Sequence, residues 1–176
     1  DRATEFQEIR QPQTFYLAVP RHSSIHRDYL PVARFSPDVV ANDALSLVAD
    51  PSLSTFGIIS SRVFAVWNKA VSGRIKSDTR VSSNITYNNF PFPDLSPEQA
   101  DAIETAADHI LPARESFPHN SLADLYDPVL MPESLRRAHR NNDRVVLGVF
   151  GLPESATDEE ILEVLFERYE DLSAVA

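Results

Sequence analysis

The stretch from Ser60 to Ser83 holds the side chains of this sequence that are best suited to contact a polyanion. It contains five basic residues and a single acid. The basic residues are Arg62, Lys69, Arg74, Lys76 and Arg80, and both lysines of the chain are among them. Serine, threonine and asparagine residues lie between them, and this mixture is typical of contacts to phosphates and base edges. A solvated basic surface would have the same composition, so the stretch alone leaves both interpretations open.

Lys76 and Asp78 flank Ser77 in the same stretch. In an extended segment their side chains point to the same side, because successive side chains alternate. A lysine can donate to the two acceptors on the major-groove edge of guanine, and an aspartate can accept from the amino group of the paired cytosine. One Lys-x-Asp unit is therefore able to read a whole G·C pair. An ion pair between the two side chains is the alternative.

The sequence shows no pattern of catalytic, cofactor-binding or metal-ligating residues. The absence of cysteine excludes disulfides, thiolate metal sites and cysteine nucleophiles. The four glycines form neither a phosphate-binding loop nor a nucleophile elbow. His22 and His26 have i, i+4 spacing but follow a predicted strand, so we interpret them as surface or backbone-contacting residues and not as zinc ligands. Asn88-Asn89-Phe90-Pro91-Phe92 resembles the Asn-Pro-Pro-Phe/Tyr loop of adenine methyltransferases only superficially, because the adjacent prolines are missing.

Charge is distributed unevenly along the chain. The formal net charge is −10. Residues 1–93 hold ten basic and eight acidic residues, whereas residues 94–176 hold six basic and eighteen acidic residues. We therefore expect any polyanionic partner to meet the first part of the chain.

The first part is predicted to be rich in strands and to contain one long helix. β-Branched and aromatic residues predict extended structure over residues 14–19, 29–35, 39–48 and 80–87. Apolar residues at helical spacing predict the helix over residues 56–71, with Gly73 as its C-terminal stop. Residues 88–93, with two prolines around an aromatic residue, predict an extended connector.

After the connector the pattern becomes helical. Ser96-Pro97-Glu98-Gln99 and Thr157-Asp158-Glu159-Glu160 are capping boxes that predict two helix starts, and Pro132 predicts a third. Four residues of the last helix, Ile161, Leu165, Tyr169 and Leu172, are predicted to face inward. The predicted fold class is α+β: a β-rich domain with one long helix at residues 1–93, then an acidic α-helical domain at residues 94–176.

The chain has no apolar run long enough to span a membrane and no leader-like start. Together with the lack of cysteine, this predicts a cytoplasmic protein. The first residue is Asp and the only methionine is Met131, so we expect the chain to be part of a longer polypeptide.

Several ordered motifs resemble one known family, the MmeI-like fused DNA methyltransferase–endonucleases. The motifs are Val19-Pro20-Arg21-His22-Ser23-Ser24, Tyr29-Leu30-Pro31-Val32, Phe56-Gly57-Ile58-Ile59-Ser60-Ser61, Trp67, Gly73-Arg74-Ile75-Lys76-Ser77-Asp78-Thr79-Arg80, Tyr87-Asn88-Asn89-Phe90-Pro91-Phe92-Pro93, Leu122-Ala123-Asp124-Leu125-Tyr126-Asp127-Pro128 and Met131-Pro132. The resemblance is to the C-terminal third of these enzymes and runs from about Phe15 to about Tyr169.

The resemblance implies that residues 1–93 are a DNA target-recognition domain, truncated at its N-terminus, and that residues 94–176 are the helical C-terminal domain. The parent polypeptide would be an S-adenosylmethionine-dependent DNA adenine methyltransferase of a restriction-modification system. Its cofactor site and catalytic motifs would lie upstream, outside this chain. The implied partners are double-stranded DNA and the upstream methyltransferase domain. A protein–protein interaction or scaffold domain is the alternative, which the acidic second part favours.

The resemblance also assigns residues. In the family, a Lys-x-Asp pair at the position of Lys76 and Asp78 goes with guanine, and Glu-x-Arg goes with cytosine on the same strand. Arg80, together with Ala44, resembles the positions that set a neighbouring base. Thr79 and Val81 depart from the aromatic residues expected beside Arg80. The predicted contacts to the DNA backbone are Arg21, His22, Ser23, Arg62, Lys69 and Arg74.

Overall fold

The computed structural model describes residues 11–75 and 78–175. In these ranges the chain forms six strands, seven α-helices and one π-helical turn. The strands are β1 Tyr16–Pro20, β2 His22–Ser24, β3 Ala33–Phe35, β4 Leu45–Ala49, β5 Gly73–Ile75 and β6 Asp78–Arg80. The α-helices are α1 Leu53–Ile59, α2 Arg62–Val71, α3 Pro97–Asp108, α4 Ile110–Glu115, α5 Leu122–Leu125, α6 Glu133–Val149 and α7 Asp158–Val175, and the π-helical turn is Ser83–Tyr87. The predicted α+β class is confirmed.

The strands form two small antiparallel sheets that meet at Arg21. One sheet has the order β3-β1-β4, and we call it the β1 sheet; the other has the order β2-β6-β5, and we call it the β6 sheet. The Arg21 amide donates to the carbonyl of Ala44 at 2.9 Å, and the Arg21 carbonyl accepts from the amide of Val81 at 2.9 Å. These two bonds join the start of β4 to the end of β6.

The prediction of one long helix over residues 56–71 is wrong, because the segment forms two helices, α1 and α2. The helix is interrupted at Ser60 and Ser61. The Ser61 side chain accepts from the amide of Phe64 and so caps a new helix. Helix α6 supports the break, since the Asp143 carboxylate accepts from the amide of Arg62 at 2.8 Å. The serine side chain readily forms hydrogen bonds with nearby backbone groups, and serine is therefore frequent at the N-terminal cap of helices.

The predicted extended segment over residues 80–87 is also wrong beyond Arg80. Ser82 caps the π-helical turn, and the buried Thr86 hydroxyl accepts from the Ser82 amide at 3.1 Å. The Trp67 indole donates to the carbonyl of Thr86 at 2.9 Å. In this turn the Ser82 amide and the Thr86 carbonyl therefore both have hydrogen-bond partners inside the protein. The extended predictions for residues 29–35 and 39–48 hold only at their C-terminal ends, as β3 and β4.

The helical second part agrees more closely with the prediction. Both halves of the Ser96 capping box form, with Pro97 at the start of α3. Thr157 and Glu160 exchange side-chain and backbone bonds of 2.7 and 3.2 Å at the start of α7. Ile161 and Leu165 are buried as predicted, whereas Tyr169 and Leu172 are exposed, which corrects that part of the predicted inward face.

The two parts of the chain share one hydrophobic core. Its fully buried members include Leu17, Phe56, Trp67, Ile103, Leu135 and Ile161. Helix α1 packs on α3, α2 on α7, and α3 on α6. None of the helices in the described ranges is long and apolar enough to cross a membrane.

Candidate nucleic-acid interface

The exposed face of the β6 sheet gathers polar side chains from two strands. Along β6, Asp78 and Arg80 are exposed and Thr79 is buried, as the alternation of a strand requires. Antiparallel pairing sets His22 opposite Arg80 and Ser24 opposite Asp78. Directly opposed residues project to the same side of a sheet. His22, Ser24, Asp78 and Arg80 therefore share one surface, which we call the hairpin face.

Lys76 lies outside the described residues, in the two-residue interval between β5 and β6. The structure therefore gives the placement of Asp78 but not that of its predicted partner. Arg74 is exposed on β5, which is the edge strand of the sheet. Its register partner is Thr79. Because Thr79 faces the interior, the Arg74 side chain projects to the side of the sheet opposite the hairpin face. Of the described residues predicted on this hairpin, Asp78 and Arg80 lie on the hairpin face.

Arg21 and Ala44 adjoin the same surface. Both are exposed. The backbone bonds of Arg21 to Ala44 and to Val81 bring Ala44 next to the strand end that carries Arg80. The structure therefore brings together the two residues predicted to set a neighbouring base, although they are far apart in the sequence.

Two residues predicted to contact the DNA backbone are placed elsewhere. Ser23 is only 3% exposed, and its side chain faces away from the hairpin face. Arg62 begins α2, whereas the β6 sheet follows the other end of that helix, about 14 Å away at 1.5 Å per residue. The Arg62 guanidinium donates to the Ala156 carbonyl at 2.8 Å and to Asp158 at 2.5 Å. Ser23 is therefore buried and Arg62 is bound to α7 and the segment before it, and the phosphate contacts of these two side chains stay predictions.

Lys69 is half-buried in the last turn of α2. It lines the same surface groove as Arg62, Asp28 and Asp143. This groove contains both signs of charge, in contrast to the basic residues that flank the hairpin face.

Behind the hairpin face lies a buried polar network that the sequence analysis missed. Its side chains are Asn68, Ser72, Thr79 and Thr86, all at least nine-tenths buried. Sequence reasoning placed Asn68, Ser72 and Thr79 among the polar residues suited to phosphate contacts. The structure turns these side chains inward instead, where they hydrogen-bond to one another.

A second buried polar cluster lies at the α1–α2 break. Burial and the nearby Arg114 lower the pKa of His139 to about 3, so its imidazole is neutral. Its Nδ1 contacts the Ser60 carbonyl at 3.1 Å and must donate there, which leaves Nε2 to accept from the Tyr126 hydroxyl at 2.6 Å. Burial raises the pKa of Tyr126. The Arg114 guanidinium also donates to this hydroxyl and, at 2.8 Å, to the Val32 carbonyl. The cluster links five segments of the chain: the one before β3, the α1–α2 break, α4, the end of α5, and α6.

Asp143 is a further buried titratable group at this break. Its carboxylate accepts from the Tyr29 hydroxyl at 2.7 Å as well as from the Arg62 amide. Burial raises the pKa of Asp143 to about 6, and burial followed by the charge of Asp143 raises the pKa of Tyr29. No group of three potential metal ligands occurs within the described ranges.

Comparison with known proteins places this arrangement in a class. The family model for the MmeI target recognition domain matches residues 1–94, and the model for the MmeI C-terminal domain matches residues 95–175. The chain is thus a target-recognition domain joined to a C-terminal helical domain. It belongs to the MmeI family.

Two relatives agree with this placement. The chain is 34% identical over 169 residues to DNA methyltransferase A of Bacillus subtilis (strain 168). The matched region covers 96% of the chain and 19% of the relative. It superposes with a TM-score of 0.90 and 36% identity on a solved structure of the Type IIL restriction-modification enzyme MmeI in complex with DNA, covering 96% of the chain and 23% of that protein. The chain therefore spans about a fifth of the length of these relatives.

Proposed function

We propose that this chain reads DNA sequence as the recognition module of a longer, S-adenosylmethionine-dependent DNA adenine methyltransferase of a restriction-modification system. The observation that carries the proposal is the hairpin face. On it Asp78 and Arg80 of β6 are both exposed, and Thr79, the residue between them, is buried in the core. The similarity to a restriction-modification enzyme solved with DNA supports the same conclusion.

Lys76 and Asp78 are assigned to one G·C pair, with guanine on the strand that Lys76 contacts. Lysine supplies donors to guanine, and aspartate accepts from the amino group of the paired cytosine. Arg80, with Ala44 beside it, is assigned to a neighbouring base. Reading thus belongs to residues 1–93, and residues 94–176 support the reading part through the shared core.

Contacts to the DNA backbone are assigned to Arg21 and His22, which are exposed at the hairpin face, and to Arg74, which is exposed on the edge strand of the same sheet. Such contacts position a protein on the duplex without reading sequence. They also make the affinity fall with salt, since each neutralised phosphate releases counterions.

Methyl transfer is assigned to the remainder of the polypeptide. The chain contains no glycine-rich donor loop and no Asn-Pro-Pro-Phe/Tyr loop. We expect isothermal titration calorimetry of the isolated chain to show no binding of S-adenosylmethionine. Stoichiometric binding would contradict this division of labour.

The decisive experiment uses the full-length polypeptide and maps its methylated sites across a genome. Replacing Lys76→Glu together with Asp78→Arg should change one G of the recognition sequence to C and leave its other positions unchanged. Each single replacement should abolish most methylation, because a mismatched group against a base edge costs about 1–3 kcal/mol.

A matched control reverses another pair of opposite charges without touching the hairpin. Glu133 and Arg140 form an exposed ion pair on α6. The double replacement Glu133→Arg with Arg140→Glu also leaves the net charge unchanged, and we expect an unaltered recognition sequence. The same recognition sequence in the Lys76→Glu, Asp78→Arg protein would reject base reading by this pair.

A second experiment tests the backbone contacts. Arg74→Gln should weaken binding of the full-length polypeptide to all DNA sequences about equally and should lower the salt dependence by about one counterion. Arg62→Gln should leave DNA binding unchanged, because that guanidinium is bound to Asp158 and Ala156. DNA binding that does not depend on salt would favour the interaction-domain alternative.

A further inference from the structure

Strand β6 is anchored to the interior by a single one of its own side chains. Its three residues show the pattern exposed, buried, exposed, and the buried one is Thr79, at 1% exposure. The flanking residues, Asp78 and Arg80, are those assigned above to base reading. Whatever fixes Thr79 therefore fixes the position of both reading side chains relative to the core.

The Thr79 hydroxyl bridges two elements. It accepts from the Asn68 amide of α2 at 3.1 Å and donates to the Ser23 carbonyl of β2 at 3.1 Å. One hydroxyl thus joins the strand in front of the network to the helix behind it. The hydroxyl has a single proton, so both of its bonds have a fixed direction.

The network continues through α2 to the segment after β6. The Ser72 hydroxyl donates to the Asn68 side-chain oxygen at 2.6 Å. Its one proton is then used, so the Thr86 hydroxyl must donate to Ser72, which lies 2.7 Å away. Thr86 in turn accepts from the Ser82 amide at 3.1 Å. A one-directional chain of hydrogen bonds therefore runs from Ser82, just beyond Arg80, back to β2.

We propose that Thr79 and Asn68 are positioning residues that set the fidelity of base reading by the hairpin face. This inference rests on the function proposed above. The β6 sheet has only three residues in each strand, so its own ladder holds it weakly in place. Base discrimination requires reading groups held to within about half an ångström, which depends on locked supporting residues. The buried hydrogen-bond chain supplies that support.

The test measures sequence discrimination in the full-length polypeptide. Thr79→Val keeps the shape of the side chain but removes both bonds of the hydroxyl. Discrimination is the ratio of methylation rates at the cognate site and at sites altered at the bases assigned to Asp78 and Arg80. We expect this ratio to fall about tenfold in Thr79→Val, the size of a lost good base contact. Thr79→Ser, which retains the hydroxyl, should restore most of it.

Asn68→Ala leaves the bond from Thr79 to Ser23 in place and should lower discrimination in the same direction. If Thr79→Val does not fold, Asn68→Ala is used in its place. Both replacements break the same network. The discrimination ratio of the double variant should therefore be no lower than that of the more impaired single variant.

The control separates positioning from general loss of stability. Tyr126→Phe removes a buried hydroxyl whose hydrogen-bond partners, Arg114 and His139, lie outside the β6 sheet, so it should lower the melting temperature without altering discrimination. If the wild-type protein methylates a defined sequence, and folded Thr79→Val and Asn68→Ala discriminate as well as it does, this inference is overturned. The proposed function is not affected by that result. A wild-type protein without any defined recognition sequence would overturn the proposed function and this inference with it.

Discussion

At the scale of single residues, Asp143 shows how a buried carboxylate can be fully hydrogen-bonded and still carry a cost. Its two oxygens accept from the Arg62 amide and the Tyr29 hydroxyl. Burial nevertheless raises its pKa from the usual 3.8 to about 6. The loss of hydration of the charged form therefore outweighs the two hydrogen bonds that favour it.

The raised pKa predicts a pH-dependent stability. Between pH 4 and pH 6 the folded state keeps a proton on Asp143 that the unfolded state has lost, so this residue lowers the free energy of unfolding as pH rises through that window. The shift corresponds to roughly 3 kcal/mol, fully lost above pH 6. Asp143→Asn does not titrate, and its oxygen can still accept from the Arg62 amide while its amide nitrogen donates to the Tyr29 hydroxyl. Urea unfolding at pH 4, 5, 6 and 7 should show a free-energy difference between variant and wild type that grows in favour of the variant.

The comparison with the variant is needed because a chain with 26 acidic residues has other sources of pH-dependent stability. Their contribution is common to both proteins and cancels in the difference. A difference that stays constant from pH 4 to pH 7 would contradict a raised pKa at Asp143.

The sequence predicted the hairpin residues but not the layer behind them. Asp78 and Arg80 alternate with Thr79 in a short extended run, so a common face for the two charged residues could be predicted from the period of a strand alone. Asn68, Ser72 and Thr79 were interpreted as surface contacts, because polar residues are most often exposed. Their burial depends on one another's hydrogen bonds, and such pairings leave no periodic pattern in the sequence.

At the scale of elements, the helix starts were predictable where their signals are local. The capping boxes at Ser96 and Thr157 each lie within four consecutive residues, and both form. The break between α1 and α2 was missed because part of its support is distant. The carboxylate that accepts from the Arg62 amide lies 81 residues further along the chain. Apolar periodicity continues across Ser60 and Ser61 and therefore indicated one helix.

Close packing of α1 on α3 yields a prediction with an internal control. A Cβ added at Gly57 would lie 2.5 Å from the Ile103 Cγ2 and 3.1 Å from the Ala107 Cβ. Gly57→Ala should therefore lower the free energy of unfolding by about 1–3 kcal/mol, as overpacking of a core does. Gly148, in α6, has no atom within 4 Å of such a Cβ. Gly148→Ala should raise stability by up to about 1 kcal/mol, because alanine favours the helix.

Both substitutions change helix propensity in the same direction, so the opposite signs isolate the packing of Gly57. Thermal unfolding monitored by circular dichroism measures both. A neutral or stabilising Gly57→Ala would mean that α3 yields to the added methyl group, and that α1 and α3 are not held as closely as the structure places them.

At the scale of the whole molecule, charge divides the chain into two parts, whereas the hydrophobic core joins them. Charge separates a slightly basic first part from a strongly acidic second part, and the hairpin face belongs to the first. The core does not follow that division. Helix α6 contributes Asn142, which donates to the Gly57 carbonyl at 2.8 Å, besides the contacts of His139 and Asp143. The acidic part is thus a structural support for the part that carries the hairpin face.

This arrangement predicts that residues 1–94 do not fold alone. Removing the rest of the chain would take Phe166 and Tyr169 away from the buried Trp67, and Arg114 away from the buried Phe56. Each such buried side chain stabilises the fold by about 1.5–3 kcal/mol, and a domain of this size has only about 5–15 kcal/mol in total. We expect residues 1–94 to show no cooperative urea unfolding, and an equimolar mixture with residues 95–176 to regain a cooperative transition. A sharp, two-state transition of residues 1–94 alone would show that the recognition part has an independent core, and that the helical part is an attachment and not a support.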